Sequence, residues 1–155
     1  MLKRFYKYRE SMAGKRNFKQ AEAEYKFNIG RALISCKIDR IETTLDGKLY
    51  VVDFKTGKTA ISLDDAKTDA QMQIYQYAVG ENVAGASLVY LDHDLKGNKT
   101  RDQQPIDRKV VEERIERTAV QMGGNTFIAL KNKNCQFCNV ASSCPLQIEG
   151  RGLYG

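Results

Sequence analysis

Apolar and polar residues alternate from Tyr25 to Ile29 of this chain. Tyr25, Phe27 and Ile29 are separated by Lys26 and Asn28, a period of two that predicts a strand ended by Gly30. Leu33 to Glu42 predicts a second strand and Leu49 to Lys55 a third. The turn Leu45-Asp46-Gly47-Lys48 between them carries the Asp-Gly pair that favours hairpins. The chain therefore builds an antiparallel meander first. After Thr56-Gly57-Lys58 and a polar loop to about Asp65, the period changes. Met72, Tyr75, Ala78 and Val79 recur at three and four residues, which predicts an amphipathic helix from Asp65 to Val79. Ser87 to Leu91 suits a short buried strand, and His93 to Gln104 a polar connection. Asp107 is placed to cap a long helix ending near Met122, where Gly123-Gly124 stops it. A short apolar piece, Phe127 to Leu130, precedes the tail.

Ahead of these elements, Lys3 to Ala23 is polar and basic with scattered aromatics, consistent with a helix or an arm. Residues 1–20 hold seven cations against Glu10 alone, enough to account for the whole net charge of +6. A basic arm on a balanced body suits a polyanion such as the DNA backbone, with Lys3, Arg4, Lys7 and, further on, Lys58 as candidate contacts. A solvated terminus is the alternative. With 155 residues, 42% of them hydrophobic, the chain is long enough for one α/β unit with a buried core. The expected divisions are a basic arm or helix over 1–23, a core over 24–130 and a cysteine-rich tail over 131–155. No run approaches the ~18 apolar residues of a membrane span, so a soluble, cytoplasmic protein with no membrane partner is expected.

The candidate chemistry lies on the second and third strands. Along Val51-Val52-Asp53-Phe54-Lys55, alternate side chains share a face, so Asp53 and Lys55 point one way and Val52 and Phe54 the other. An exposed ion pair would explain that segment alone. However, Asp39 sits between Ile38 and Arg40-Ile41 on the neighbouring strand, and the hairpin brings the two acids together. Paired carboxylates hold a hard divalent ion such as Mg2+ or Mn2+, which keeps several waters and accepts phosphate oxygens. Beside it, a lysine can orient the attacking water or stabilise the leaving charge. Gln71 and Tyr75 lie one helical turn apart and can reach such a lysine.

The ordered set Cys-x-Ile-Asp-Arg-Ile, turn, Val-Val-Asp-Phe-Lys-Thr-Gly-Lys and Gln-x-x-x-Tyr resembles the nuclease domain of the RecB family in the PD-(D/E)XK superfamily. It is also similar to the AddB and AdnA/AdnB nuclease domains of bacterial helicase-nucleases, over about Glu24 to Arg151. The resemblance implies a restriction-endonuclease-like fold, with a central mixed sheet of four or five strands flanked by helices. It also implies DNA cleavage with Mg2+ or Mn2+: Asp39 and Asp53 would bind the metal with the backbone carbonyl of Phe54, Lys55 would be catalytic, and Gln71 with Tyr75 would form the family's Gln-x-x-x-Tyr motif. Many relatives carry a further histidine or glutamate on a helix before the first strand. Here Glu24 lies near an upstream acidic position, and the single histidine, His93, is far downstream.

Three of the four cysteines crowd into Cys135-x2-Cys138-x5-Cys144, clustering that in an intracellular chain suggests metal ligation before disulfides. They resemble the three C-terminal ligands of an iron–sulfur staple in AddB-like nucleases. The resemblance thus implies a 4Fe–4S cluster, or zinc as the other metal such thiolates take, with a fourth ligand not found in this chain. Cys36 suits a small buried residue. The joint expectation is a C-terminal piece of a helicase-nuclease in recombination and repair, with the helicase portion and a second helicase-nuclease subunit as partners. The alternatives are an inactive nuclease-like module that binds DNA or assembles subunits, and a small zinc-organised interaction domain. No Gly-x-x-x-x-Gly-Lys-Ser/Thr segment is present, so ATP binding by that route is not expected.

Overall fold

A computed structural model describes residues 1–92, 99–126 and 128–146. His93 and Phe127, named above, lie outside the described residues. The chain forms two compact units, Met1–Ala119 and Val120–Gly155. Among the described residues no helix is long and apolar enough to cross a membrane.

The first unit opens with helix α1 (Leu2–Met12), then strands β1 (Arg16–Ile29), β2 (Ala32–Thr44) and β3 (Leu49–Lys55). Helices α2 (Leu63–Lys67) and α3 (Ala70–Val79) lead to β4 (Val83–Tyr90) and β5 (Thr100–Gln103), and α4 (Arg108–Met122) follows. The five strands lie in the order β1-β2-β3-β4-β5. The first three form the antiparallel meander; β3 and β4 pair in parallel, and β4 and β5 antiparallel. The sheet is therefore mixed, because the α2–α3 connection is long enough to return the chain in parallel. Five strands of mixed direction flanked by helices agree with the expected sheet of four or five strands.

Each face of the sheet has its own core. On one face α2 and α3 bury Ala66, Met72 and Tyr75 against Ile38, Ile41, Val51, Ala86 and Leu88. On the other, Tyr8 of α1 packs with Val52, Val89 and Leu91, and Phe5 and Phe54 border them. Caps fix the helices over the site face: the Ser62 hydroxyl accepts from the amide of Asp65, and the Asp69 carboxylate from that of Met72. Asp107 likewise accepts from the amides of Lys109 and Val110, as its sequence position predicts.

The start of the chain differs from expectation. Residues 2–12 are helical, and β1 begins at Arg16 rather than at Glu24. Residues 16–22 of this edge strand are mostly solvent-exposed, so no apolar alternation marks them. Between Phe18 and Gln20 the register shifts, and Glu22 adopts a φ of +53°. The helix expected over 65–79 is two helices broken at Thr68-Asp69, and the polar connection contains β5. Because β5 is a short edge strand of sequence Thr-Arg-Asp-Gln, it lacks an apolar signal. Its close approach needs Gly85 on β4, where φ is +139° and an added Cβ would lie 2.7 Å from the Gln103 carbonyl oxygen.

Candidate active site

The site forms where β2 and β3 part. Their ladder runs from Thr43↔Leu49 to Arg40↔Val52 and goes no further. Ile38 and Ile41, three residues apart, both reach the α2–α3 core, so strict alternation breaks across Asp39-Arg40. At this break the Asp39 side chain takes over from the ladder: its Oδ2 accepts from the backbone amide of Phe54 at 2.8 Å. Phe54 is held in turn by edge-to-face contacts with Phe5 (5.4 Å) and Tyr8 (5.5 Å) of α1. Asp39 is thereby fixed to the residue that lies between Asp53 and Lys55.

Asp53 and Lys55 share the α3 face, as the strand period requires. The Lys55 Nζ lies 2.7 Å from Asp53 Oδ2 and donates to Gln71 Oε1 at 2.7 Å. Gln71 Nε2 then donates to the Tyr75 hydroxyl at 2.8 Å. An ammonium has only donors, so it turns the Gln71 amide oxygen inward and sends the amide nitrogen to the tyrosine. The i, i+4 spacing on α3 makes this relay possible. Asp53, Lys55, Gln71 and Tyr75 are therefore joined in one relay, and Asp39 is tied to it through the Phe54 amide.

Asp53 is only 4% exposed. Its contact with Lys55 is a charge contact without hydrogen-bond geometry, so the buried Oδ2 has no hydrogen-bond donor among the described residues. Burial raises the pKa of its carboxyl; Lys55 opposes the shift, while Asp39 and Asp69 add to it. For Lys55, burial works against the ammonium, but the adjacent Asp53 carboxylate outweighs it, with help from Tyr75 and Asp39, and the pKa is raised. The pair thus keeps its proton on lysine, leaving a carboxylate that lacks its full complement of partners. Tyr75 is likewise raised, mainly by burial, and stays a phenol.

A buried carboxylate oxygen whose close partner is an ammonium alone, within the field of a second carboxylate, Asp39, fits a hard divalent cation. Among the described residues no three His, Cys, Asp or Glu side chains converge as a metal site. Two carboxylates suffice for an ion of the Mg2+ type, which retains several waters.

The other expected contacts are more dispersed. Lys3, Lys7 and Lys58 are exposed, the first two on α1 and the third just past β3. Arg4 donates to the backbone carbonyl of Asp92. In the second unit, Cys135, Cys138 and Cys144 border two short 3-10 turns, Cys135–Phe137 and Ala141–Ser143. The Asn132 amide donates to Cys135 Sγ at 3.2 Å.

Sequence reasoning missed Glu42, which is 1% exposed under α1. It accepts from the Tyr8 hydroxyl at 2.9 Å and Arg40 Nε at 2.6 Å, and lies 3.1 Å from Arg16 Nε. The only local signal was an acid continuing an apolar strand.

Residues 1–145 match the PD-(D/E)XK nuclease superfamily profile. The chain belongs to this superfamily. Superfamily members are generally phosphodiester-cleaving nucleases that use Mg2+ or Mn2+. A solved structure described as "Crystal structure of SSO0001" is similar in fold, with a TM-score of 0.53 and 20% identity, over 92% of this chain and 68% of that one. Among curated proteins none matches.

Proposed function

We propose that this domain is a divalent-metal-dependent deoxyribonuclease whose site comprises Asp39, Asp53, Lys55, Gln71 and Tyr75. The observation that carries the reading is the buried Asp53 carboxylate, ion-paired through Oδ2 but without a hydrogen-bond donor there, next to a lysine fixed by Gln71 and Tyr75. Asp39, Asp53 and the backbone carbonyl of Phe54 would hold Mg2+ or Mn2+. When bound, the ion supplies Lewis-acid activation of water and neutralises charge at the phosphate. Lys55 holds a positive charge at the reacting centre, where it orients the water and stabilises charge developing in the transition state. Gln71 positions that ammonium, and Tyr75 positions Gln71. Exposed Lys3, Lys7 and Lys58, with Arg4, contribute to DNA binding.

The strand motifs favour an exonuclease acting with a helicase portion and a partner subunit in DNA recombination and repair. The cysteine spacing favours a 4Fe–4S cluster or zinc on Cys135, Cys138 and Cys144 with a fourth ligand. Iron, sulfide and zinc analysis of anaerobically purified protein tests that assignment; absence of all three would refute it. Catalysis is tested by incubating linear single-stranded DNA with Mn2+ and either the natural chain or Lys55→Ala. Cleavage by the natural chain should fall by a factor on the order of 10²–10³ in the variant. Equal cleavage by both would refute the assignment of Lys55.

A further inference from the structure

A second feature opens directly onto the relay. A groove of about 670 Å3 is lined by Leu33, Ile34, Ser35, Cys36 and Lys37 of β2 and by Gln71, Ile74 and Tyr75 of α3. Successive strand side chains point to opposite faces, so five consecutive residues can line one groove only along the edge of the strand. That edge is open because β3 pairs with β2 only from Arg40 onward. The groove therefore presents β2 main chain, apolar side chains and one cation, and it ends at the two residues that position Lys55.

We infer that this groove holds the segment of a single nucleic-acid strand adjoining the scissile phosphate, with Lys37 contacting its backbone and Leu33 and Ile74 packing on sugar or base. The inference rests on the nuclease reading of the neighbouring site. Continuity selects the occupant: a phosphate at the Asp39–Asp53 cluster leaves its strand beside Gln71 and Tyr75, the groove's inner wall. Size agrees, since the volume falls in the ~300–1,000 Å3 range of small-ligand sites, which admits a nucleotide or two but no duplex. Chemistry agrees as well. Leu33 is 59% exposed at one end, an apolar surface that a flanking base would cover; Lys37 stands at the other, ~13 Å away by strand rise. Single-strand sites combine apolar or aromatic platforms with cations along the backbone in this way.

Lys37 has a further role in the charge balance. Its Nζ lies 2.6 Å from a carboxylate oxygen of Glu22. It thus offsets the acid beside it, which would otherwise repel a phosphate. On binding, a phosphate takes the ammonium from Glu22.

The test uses the full chain without divalent ions, so that nothing is cleaved, and a single-stranded ten-nucleotide oligothymidylate. Amide hydrogen exchange at residues 33–38 should slow when the oligonucleotide is added. Leu33→Glu, a change at an exposed position, should weaken binding at least tenfold, and Lys37→Glu similarly. Protection confined to other segments, no binding, or affinities of both variants within twofold of the natural chain would overturn the inference. So would a groove that takes an extended peptide on the open β2 edge while ignoring the oligonucleotide. Cleavage with Mn2+ separates the two readings. A chain that binds in the groove but does not cut retains the groove and loses the nuclease, whereas cutting with both groove variants binding normally does the reverse.

Discussion

Two buried carboxylates, one inside the β2–β3 ladder and one just past its end, have opposite surroundings. Glu42 lies under α1 at 1% exposure, with a tyrosine hydroxyl and two arginines around it. Asp53 lies under α3 at 4% exposure, with one ammonium and an oxygen that receives no hydrogen bond. Burying a charge is costly unless partners replace its water. Glu42 meets that condition and fastens α1 to the sheet. Asp53 does not, and the deficit lies where a cation would remove it. The saturated carboxylate is thus structural, and the unsaturated one marks the site.

The largest expected effect falls on the saturated side. Glu42→Ala leaves the guanidinium groups of Arg16 and Arg40, each side chain only 13% exposed, without their shared anion. Breaking such a pair from one side costs about 3–5 kcal/mol, read as a lowered midpoint in urea. A change under 1 kcal/mol would show that Glu42 is as expendable as a surface acid. Next, Asp53→Asn should lower Mn2+-dependent cleavage by at least 10²-fold, about 3 kcal/mol of barrier, without unfolding the domain. Cleavage within threefold of the natural chain would break the comparison from the other side.

The same contrast explains what could be read from sequence. The hairpin was legible because Asp46-Gly47 states its own geometry, and Gly47 has the expected positive φ of 80°. Asp53 and Lys55 on one face, and Gln71 with Tyr75 on one helical turn, follow from periods of two and of three to four. Glu42 was not legible, because its partners Tyr8 and Arg16 come from distant segments and no local period joins them. Nor was the start of β1, since an exposed edge interrupted at Phe18–Gln20 and Glu22 carries no alternation. Local periodicity thus delivered the face that carries the candidate site and missed the contacts that hold the opposite helix.

A smaller effect is the stability of Asp53→Asn. Removing an undersupplied buried charge should stabilise the metal-free protein by about 1 kcal/mol at neutral pH. Because burial raises the folded pKa of Asp53, the unfolded chain loses this proton first as pH rises. The natural protein therefore loses stability relative to the variant from about pH 3.9 up to the raised folded value, above which the gap is constant. Thermal midpoints across that range check the sign, and a gap that closes with rising pH would contradict it. Saturating Mn2+ should raise the midpoint of the natural chain and leave that of the variant nearly unchanged.

Two further variants delete one hydroxyl on each side, with small effects. Tyr8 donates to Glu42, and both burial and that carboxylate raise its pKa. Tyr8→Phe removes one of three contacts from a buried acid and should cost about 1–2 kcal/mol of stability. Tyr75 instead accepts from Gln71, whose amide nitrogen is part-buried and can turn to water when the hydroxyl is lost. Tyr75→Phe should therefore cost under about 1 kcal/mol in stability. Its consequence lies in turnover: a loosened Gln71 no longer fixes the Lys55 ammonium beside Asp53, so kcat should fall several-fold more than KM changes. If Tyr75→Phe instead destabilised the fold as much as Tyr8→Phe and left kcat intact, the Lys55–Gln71–Tyr75 relay would be packing alone, and the two faces of the sheet would not differ in kind.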